Sequence, residues 1–280
     1  MQIKLTSDNE WEGKYALLEG QFEVDGLPIW ALGDLLPTGK KDRAGKNSFF
    51  KEKLKDVLGN DAGPSTSSDE LYSQMKQIYA CFPEEFIENY GECVEQIQKG
   101  SQFLQKSKLH QMPAITGNRE FDYQLLLDFL ATEAGIKKVN YFNELTSCKK
   151  FILHTTPEVE HLESTGILWL PYHPEDCFEQ DIDQITDSFR EYKSERIIIL
   201  THENPCPEAV GVKRKVKMQT TLDEYIGRAA SINLNVLLFC GHLDISAPSF
   251  GYKGATVQPI SGTEIITLDL MNGNYSKREL

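Results

Sequence analysis

The chain has 280 residues, room for one large α/β domain or two small ones. Its 29 Lys+Arg against 42 Asp+Glu give a formal charge of −13, which argues against a broad nucleic-acid-binding face, since phosphate backbones are held by clustered Lys and Arg. No stretch approaches the roughly 18 apolar residues of a membrane span, and six cysteines without CxxC spacing read as reduced thiols, so the expectation is a cytoplasmic protein with no signal peptide and no membrane partner.

Residues 2–6 form a short apolar strand leading into Ser7-Asp8-Asn9-Glu10. A second strand, 28–32 (PIWAL), runs into Gly33-Asp34. Residues 43–111 then break the alternation of strand and helix. The periodicity predicts helices over 49–58, 70–79 and 83–98, separated by a polar joint at 61–69, with Ser68-Asp69 as an N-cap. This stretch reads as a helical insertion covering one side of the site.

Strand character returns at 112–116 and meets Gly117-Asn118-Arg119-Glu120. A helix is expected over 123–133, stopped by Gly135. Strands follow at 149–155 and 166–170, the second ending in Pro171-Tyr172, and then an amphipathic helix over 181–192 with Ile182, Ile185 and Phe189 on one face. The run Arg196–Thr201 is a buried strand finishing on His202. A basic loop, Lys213-Arg214-Lys215-Val216-Lys217, reads as a solvated loop or a substrate contact. A helix over 222–230 precedes the strand 236–240, which meets Gly241-His242-Leu243-Asp244. A terminal pair of strands is expected at 254–259 and 264–270.

Two buried strands that end on His202 and His242 suggest a metal site, histidine being a common ligand; the alternative is two unrelated histidines. Open α/β sheets place ligands beyond the carboxyl ends of their strands. Five such ends occur in order: Asp8-x-Glu10, Gly33-Asp34, Gly117-Asn118, Thr201-His202 and Gly241-His242-x-Asp244. Glycines before Asp34, Asn118 and His242 allow the sharp turns that would bring these side chains together. His154, His161 and His173 are read as lying outside the site.

The ordered set resembles the calcineurin-like metallophosphoesterase superfamily, whose pattern is DxH, GD, GNH, H and GHxH at successive strand ends. Within it the chain is most similar to the SbcD-like nuclease branch, through residues 3–13 (IKLTSDNEWEG), Trp169-Leu170-Pro171-Tyr172, and Tyr252-Lys253-Gly254-Ala255 followed by Thr263-Glu264. The resemblance implies a single domain over 1–280, a four-layer α/β/β/α sandwich with the insertion at 43–111. It implies two divalent metal ions bridged by Asp34. One ion would take Asp8, Glu10, Asp34 and Asp244; the other would take Asp34, Asn118, His202 and His242. A metal-activated hydroxide would then attack phosphorus in a phosphodiester of a nucleotide or nucleic acid. The alternative is a catalytically weak relative that keeps the fold and acts as a binding or regulatory module.

Three positions depart from that pattern. Glu10 and Asp244 stand where the family has histidine, which makes one ion's ligands all oxygen and favours Mn²⁺ or Mg²⁺ over Zn²⁺. Arg119 stands where the family has its catalytic histidine. Arginine cannot donate a proton near neutral pH, so the expected catalytic set is Asp34, Asn118, His202 and Arg119, with Arg119 at the mouth of the site as a phosphate clamp and Glu120 or Glu203 as possible acids.

Overall fold

The computed structural model describes residues 1–8, 12–36, 48–59, 67–174, 182–212, 216, 218–232, 235–243 and 246–280. Glu10 and Asp244, most of the basic loop at 213–217 and most of the polar joint at 61–69 lie outside the described residues. The chain opens with β1 (Gln2–Thr6), α1 (Glu12–Asp25) and β2 (Ile29–Leu32). The insertion supplies α2 (Ser48–Leu58), α3 (Ser68–Cys81), α4 (Pro83–Tyr90) and α5 (Cys93–Lys106). Then come β3 (Met112–Ile115), α6 (Asn118–Thr132), α7 (Tyr141–Ser147), β4 (Phe151–His154), β5 (Glu158–Leu162) and β6 (Thr165–Leu170). The last part holds α8 (Ile182–Glu191), β7 (Arg196–Thr201), α9 (Gln219–Ser231), β8 (Asn235–Leu243), β9 (Phe250–Tyr252), β10 (Ala255–Ser261), β11 (Glu264–Asp269) and β12 (Tyr275–Glu279).

These strands form two mixed six-stranded sheets, in the orders β12-β11-β1-β2-β3-β4 and β5-β6-β7-β8-β10-β9. In the first, β1 to β4 are parallel, with β11 and β12 antiparallel at one side. In the second, β6, β7, β8 and β10 are parallel, with antiparallel edge strands β5 and β9. Side chains alternate across each strand, and here both faces are apolar. Ile198 and Leu200 of β7, and Leu237 and Phe239 of β8, meet Ile3, Leu5, Trp30 and Leu32 from the other sheet in one core. Ile197, Ile199, Val236 and Leu238 instead pack under α8 and α9. Ile29, Ala31, Met112 and Ala114 pack under α1, α5, α6 and α7. Continuous apolar runs such as Ile197–Ile199 follow from this burial on both faces.

Lys4 is the exception on β1. It is fully buried on the helix side, with Nζ 2.6 Å from Asp25 Oδ2 and 2.9 Å from the Gln21 carbonyl oxygen at the end of α1, where a cation also favours the helix dipole. Lys4→Met keeps the stem and removes the charge. It is expected to cost about 1–2 kcal/mol, the range for a hydrogen bond to a charged group discounted because Asp25 is partly exposed. Urea unfolding measures this, and an unchanged midpoint would mean that water replaces the ammonium without cost.

Several boundaries differ from the sequence expectation. The cap of α3 is Ser67, not Ser68: its extended backbone lets its hydroxyl accept the Glu70 N–H at 3.2 Å. The helix expected over 83–98 is two helices, because Gly91 ends α4 with its N–H on the Ile87 carbonyl, and glycine is a poor helix former. α6 starts at Asn118, five residues early, because Glu120 reaches back to the Gly117 N–H at 2.6 Å. The terminal strands do not pair with each other: β10 belongs to the second sheet and β11 to the first. The crossover is held by Glu264, which accepts the Ser261 N–H at 2.9 Å and pairs with Lys277 at 3.1 Å.

The insertion's described helices build a core of their own. Phe50, Met75, Ile78, Phe86 and Tyr90 pack on Leu126, Phe129 and Leu130 of α6. Those residues lie roughly 12–18 Å along the axis from Asn118, at 1.5 Å per residue. Through these residues the insertion grips the half of α6 remote from the strand ends, while α5 packs on the first sheet through Val94, Ile97 and Leu104.

Candidate metal centre

The carboxyl ends of β1, β2 and β3 meet those of β7 and β8, and the two sheets are tied together there by hydrogen bonds. His202 Nδ1 lies 2.7 Å from the Leu32 carbonyl oxygen, the His242 N–H donates to Asp8 Oδ2 at 3.0 Å, and the Tyr172 N–H donates to the Thr116 carbonyl at 3.0 Å. The chain can approach itself this closely only where glycine stands. A Cβ on Gly117 would sit 2.5 Å from Asp34 Oδ1 and 2.6 Å from the Asp34 nitrogen, and one on Gly241 would overlap Ser7 Oγ. The glycines read from the sequence as turn formers are thus required by contact.

Asp8, Asp34 and His242 all have left-handed backbones, with φ of 54°, 54° and 62°. Such conformations cost of order 1–3 kcal/mol in non-glycine residues and cluster where surroundings over-determine them for function. For His242 the cause is a bulge. β8 runs on through Gly241 to Leu243, and its register against β10 slips from Cys240↔Pro259 to Leu243↔Ser261, leaving one extra residue on β8. The bulge turns His242 toward His202, whose ring centroid lies 4.6 Å away.

One ligand atom from each of Asp8, Asp34 and His202 lies within 4.8 Å of the other two. His202 Nε2 is 3.6 Å from Asp34 Oδ1 and 3.1 Å from Asn118 Oδ1. The Leu32 carbonyl can only accept, so Nδ1 carries the proton. Nε2 then turns a lone pair toward two oxygen lone pairs, and either a proton or a metal ion must stand between them. The donor set suits a divalent ion: two carboxylates, one imidazole nitrogen and an amide oxygen, with the second ring nitrogen held by a carbonyl as in metal-binding histidines. Asp8 is held below its ordinary carboxylate value: burial pushes it up, but the His202 ring, the Lys14 ammonium, the Ser7 hydroxyl at 2.8 Å and the Arg119 guanidinium together pull it further down.

Arg119, expected at the mouth, is turned inward. Its backbone N–H donates to Asp34 Oδ1 at 3.1 Å and its Nε lies 3.3 Å from Asp34 Oδ2, with the side chain only 10% exposed. Neither candidate acid is free to act. Glu120 is fully buried and accepts from Asp34 N, Leu35 N, Gly117 N and the Tyr141 hydroxyl. Glu203 is buried and accepts the Met218 N–H at 2.7 Å. His154 stacks on Trp169 and faces Glu158, and His161 stacks on Tyr192, so both serve packing. His173 lies beside Phe121.

Lys14 was not read from the sequence. It is fully buried on α1 and donates to the Ser7 carbonyl, next to Asp8. Burial lowers its pKa to about 8 against the pull of Asp8, Asp34 and Glu264. A lysine in the first turn of α1 carries no local sign of burial.

No protein-family model matches the chain, and no curated protein matches it. Among solved structures, a Staphylococcus aureus protein provisionally named a 5'-nucleotidase, in complex with alpha-ketoglutarate, aligns at 12% identity with a TM-score of 0.41, over 99% of this chain and 52% of that one. The chain thus spans about half the length of that protein.

Proposed function

We propose that this chain is a metal-dependent phosphoesterase with the four-layer fold of the calcineurin-like metallophosphoesterases, acting in the cytoplasm on a phosphodiester of a nucleotide or nucleic acid. The observation that carries the reading is the convergence of Asp8, Asp34 and His202, from three strand ends in two sheets, onto one point. That they sit at the ordered motifs of the resemblance supports it. Asp8, Asp34, His202 and the Asn118 amide oxygen would hold the ion. Glu10 and Asp244, two residues beyond Asp8 and His242, would add carboxylates that favour Mn²⁺ or Mg²⁺. A divalent ion supplies charge for the phosphoryl oxygens and lowers the pKa of a coordinated water.

The chain's own residues offer little to a leaving group. Glu120 and Glu203 are committed to backbone N–H groups, and arginine holds its proton at neutral pH. Substrates whose leaving group needs no protonation are therefore favoured. The test is hydrolysis of bis(p-nitrophenyl) phosphate and p-nitrophenyl phosphate by EDTA-stripped protein resupplied with Mn²⁺, Mg²⁺ or Zn²⁺. The expected result is diester cleavage with Mn²⁺ or Mg²⁺ and none with EDTA.

A second reading, a metal-binding module without catalysis, is favoured by the pairing of Arg119 with Asp34 where the family's catalytic histidine would stand. Tight Mn²⁺ binding without cleavage of either ester would select it.

A further inference from the structure

We propose that Ser7 is the positioning residue of this centre: its hydroxyl joins the Asp8 carboxylate to the carbonyl that holds His202, so one side chain sets two ligands from different sheets. The inference rests on the metal-dependent reading above and concerns what aims its ligands. Ser7 follows β1 directly and is fully buried. Its Oγ lies 2.8 Å from Asp8 Oδ2 and 3.0 Å from the Leu32 carbonyl oxygen. A carboxylate and a carbonyl only accept, so the hydroxyl's single proton is shared between them. Asp8 Oδ2 also accepts the His242 N–H at 3.0 Å. Two donors on one oxygen fix the carboxylate about its Cβ–Cγ bond, because a quarter turn would lose both. The Leu32 carbonyl in turn accepts from both Ser7 Oγ and His202 Nδ1, at 3.0 and 2.7 Å.

The backbone around Ser7 is shaped to these contacts. Lys14 donates to the Ser7 carbonyl from α1. On β8, a Cβ at Gly241 would overlap the Ser7 hydroxyl and come within 3.3 Å of Asp8 Oδ2. Asp8 itself stands in the left-handed region at φ 54°, a conformation that persists only where the surroundings over-determine it. Hydrogen-bond partners that orient a metal ligand typically cost ten- to a hundredfold in metal affinity when removed. A hydroxyl that only tied two strands together would not. Thr165 supplies the comparison: it is equally buried and donates to the Leu270 carbonyl at 2.9 Å, at the amino end of β6, the end of that strand remote from the centre.

The experiment is calorimetric Mn²⁺ titration of the EDTA-stripped full chain, unaltered and as Ser7→Ala and Thr165→Val, with urea unfolding of each metal-free sample. Both variants are expected to lose stability. The Kd for Mn²⁺ is expected to rise about ten- to a hundredfold in Ser7→Ala and to stay unchanged in Thr165→Val. An unchanged or lower Kd in folded Ser7→Ala would overturn the inference and leave the metal-dependent reading standing. An equal rise in both variants would also overturn it, because a general loosening of the fold would then account for the effect. No Mn²⁺ binding by the unaltered protein would overturn both readings. If Ser7→Ala does not fold, Ser7→Cys takes its place: a thiol is a weak donor, so weaker Mn²⁺ binding is expected and an unchanged Kd overturns the role of Ser7.

Discussion

Asp34→Asn is expected to abolish stoichiometric Mn²⁺ binding and to lower phosphodiester cleavage by about a thousandfold or more. The ion's stabilisation of transition-state charge is worth several kcal/mol, and each 1.36 kcal/mol is a factor of ten in rate. The substitution keeps the volume but removes the charge that His202 Nε2 and Arg119 face at 3.6 and 3.3 Å. It also takes the carboxylate from a buried guanidinium, so a loss of stability of up to about 3–5 kcal/mol accompanies it, the cost of removing one partner of a buried pair. The double variant Asp34→Asn/Arg119→Met separates the two effects: stability is expected to return in part while metal binding does not. Unaltered Mn²⁺ affinity in folded Asp34→Asn would remove this aspartate from the site.

The largest effect on folding is expected at Glu120. Glu120→Ala leaves the N–H groups of Asp34, Leu35 and Gly117 and the Tyr141 hydroxyl without their acceptor in a fully buried place. At about 1–3 kcal/mol for each unsatisfied buried group, partly relieved by entering water, the loss is about 4 kcal/mol or more, enough to unfold a marginal domain. The milder Glu120→Gln reports on charge. Burial and the neighbouring Asp34 carboxylate raise the Glu120 pKa from 4.5 to about 7. The native state therefore keeps this proton to higher pH than the unfolded chain, so this group's contribution to stability falls as pH rises from 4.5 to about 7 and is level above that. Over that window the loss amounts to about 3 kcal/mol at 1.36 kcal/mol per unit. Urea unfolding of metal-free protein across it should slope downward for the unaltered chain and less so for Glu120→Gln. Parallel profiles for the two would count against the assignment.

What could be read from the sequence was local in origin. A strand buried on both faces must be apolar throughout, so Arg196–Thr201 and residues 236–240 announce themselves. A strand end followed by Gly33-Asp34 or Gly117-Asn118 announces a tight turn with a polar tip. Those signals placed Asp8, Asp34, Asn118, His202 and His242 at strand ends, where the structure has them. The helices of the insertion were legible through their periodicity, while α1, α7, β5, β9 and β12 were missed. β5 and β12 are edge strands with few buried side chains, and so lack a clear alternating pattern.

Only the tertiary structure decided which way the charged side chains face. His202 receives its tautomer from Leu32, 170 positions away, and Glu120 braces Asp34 across 86. Arg119 faces inward beside Asp34, where the sequence suggested a phosphate clamp at the mouth of the site. Lys14 and Lys4 are buried because α1 lies over β1, and their charges are met by Ser7, Asp25 and Gln21. A buried charge is tolerated only when its partners surround it, and those partners come from distant parts of the chain. Residue type and spacing could therefore nominate ligands for a metal, while the contacts that set their charge and tautomer exist only once the two sheets are brought face to face.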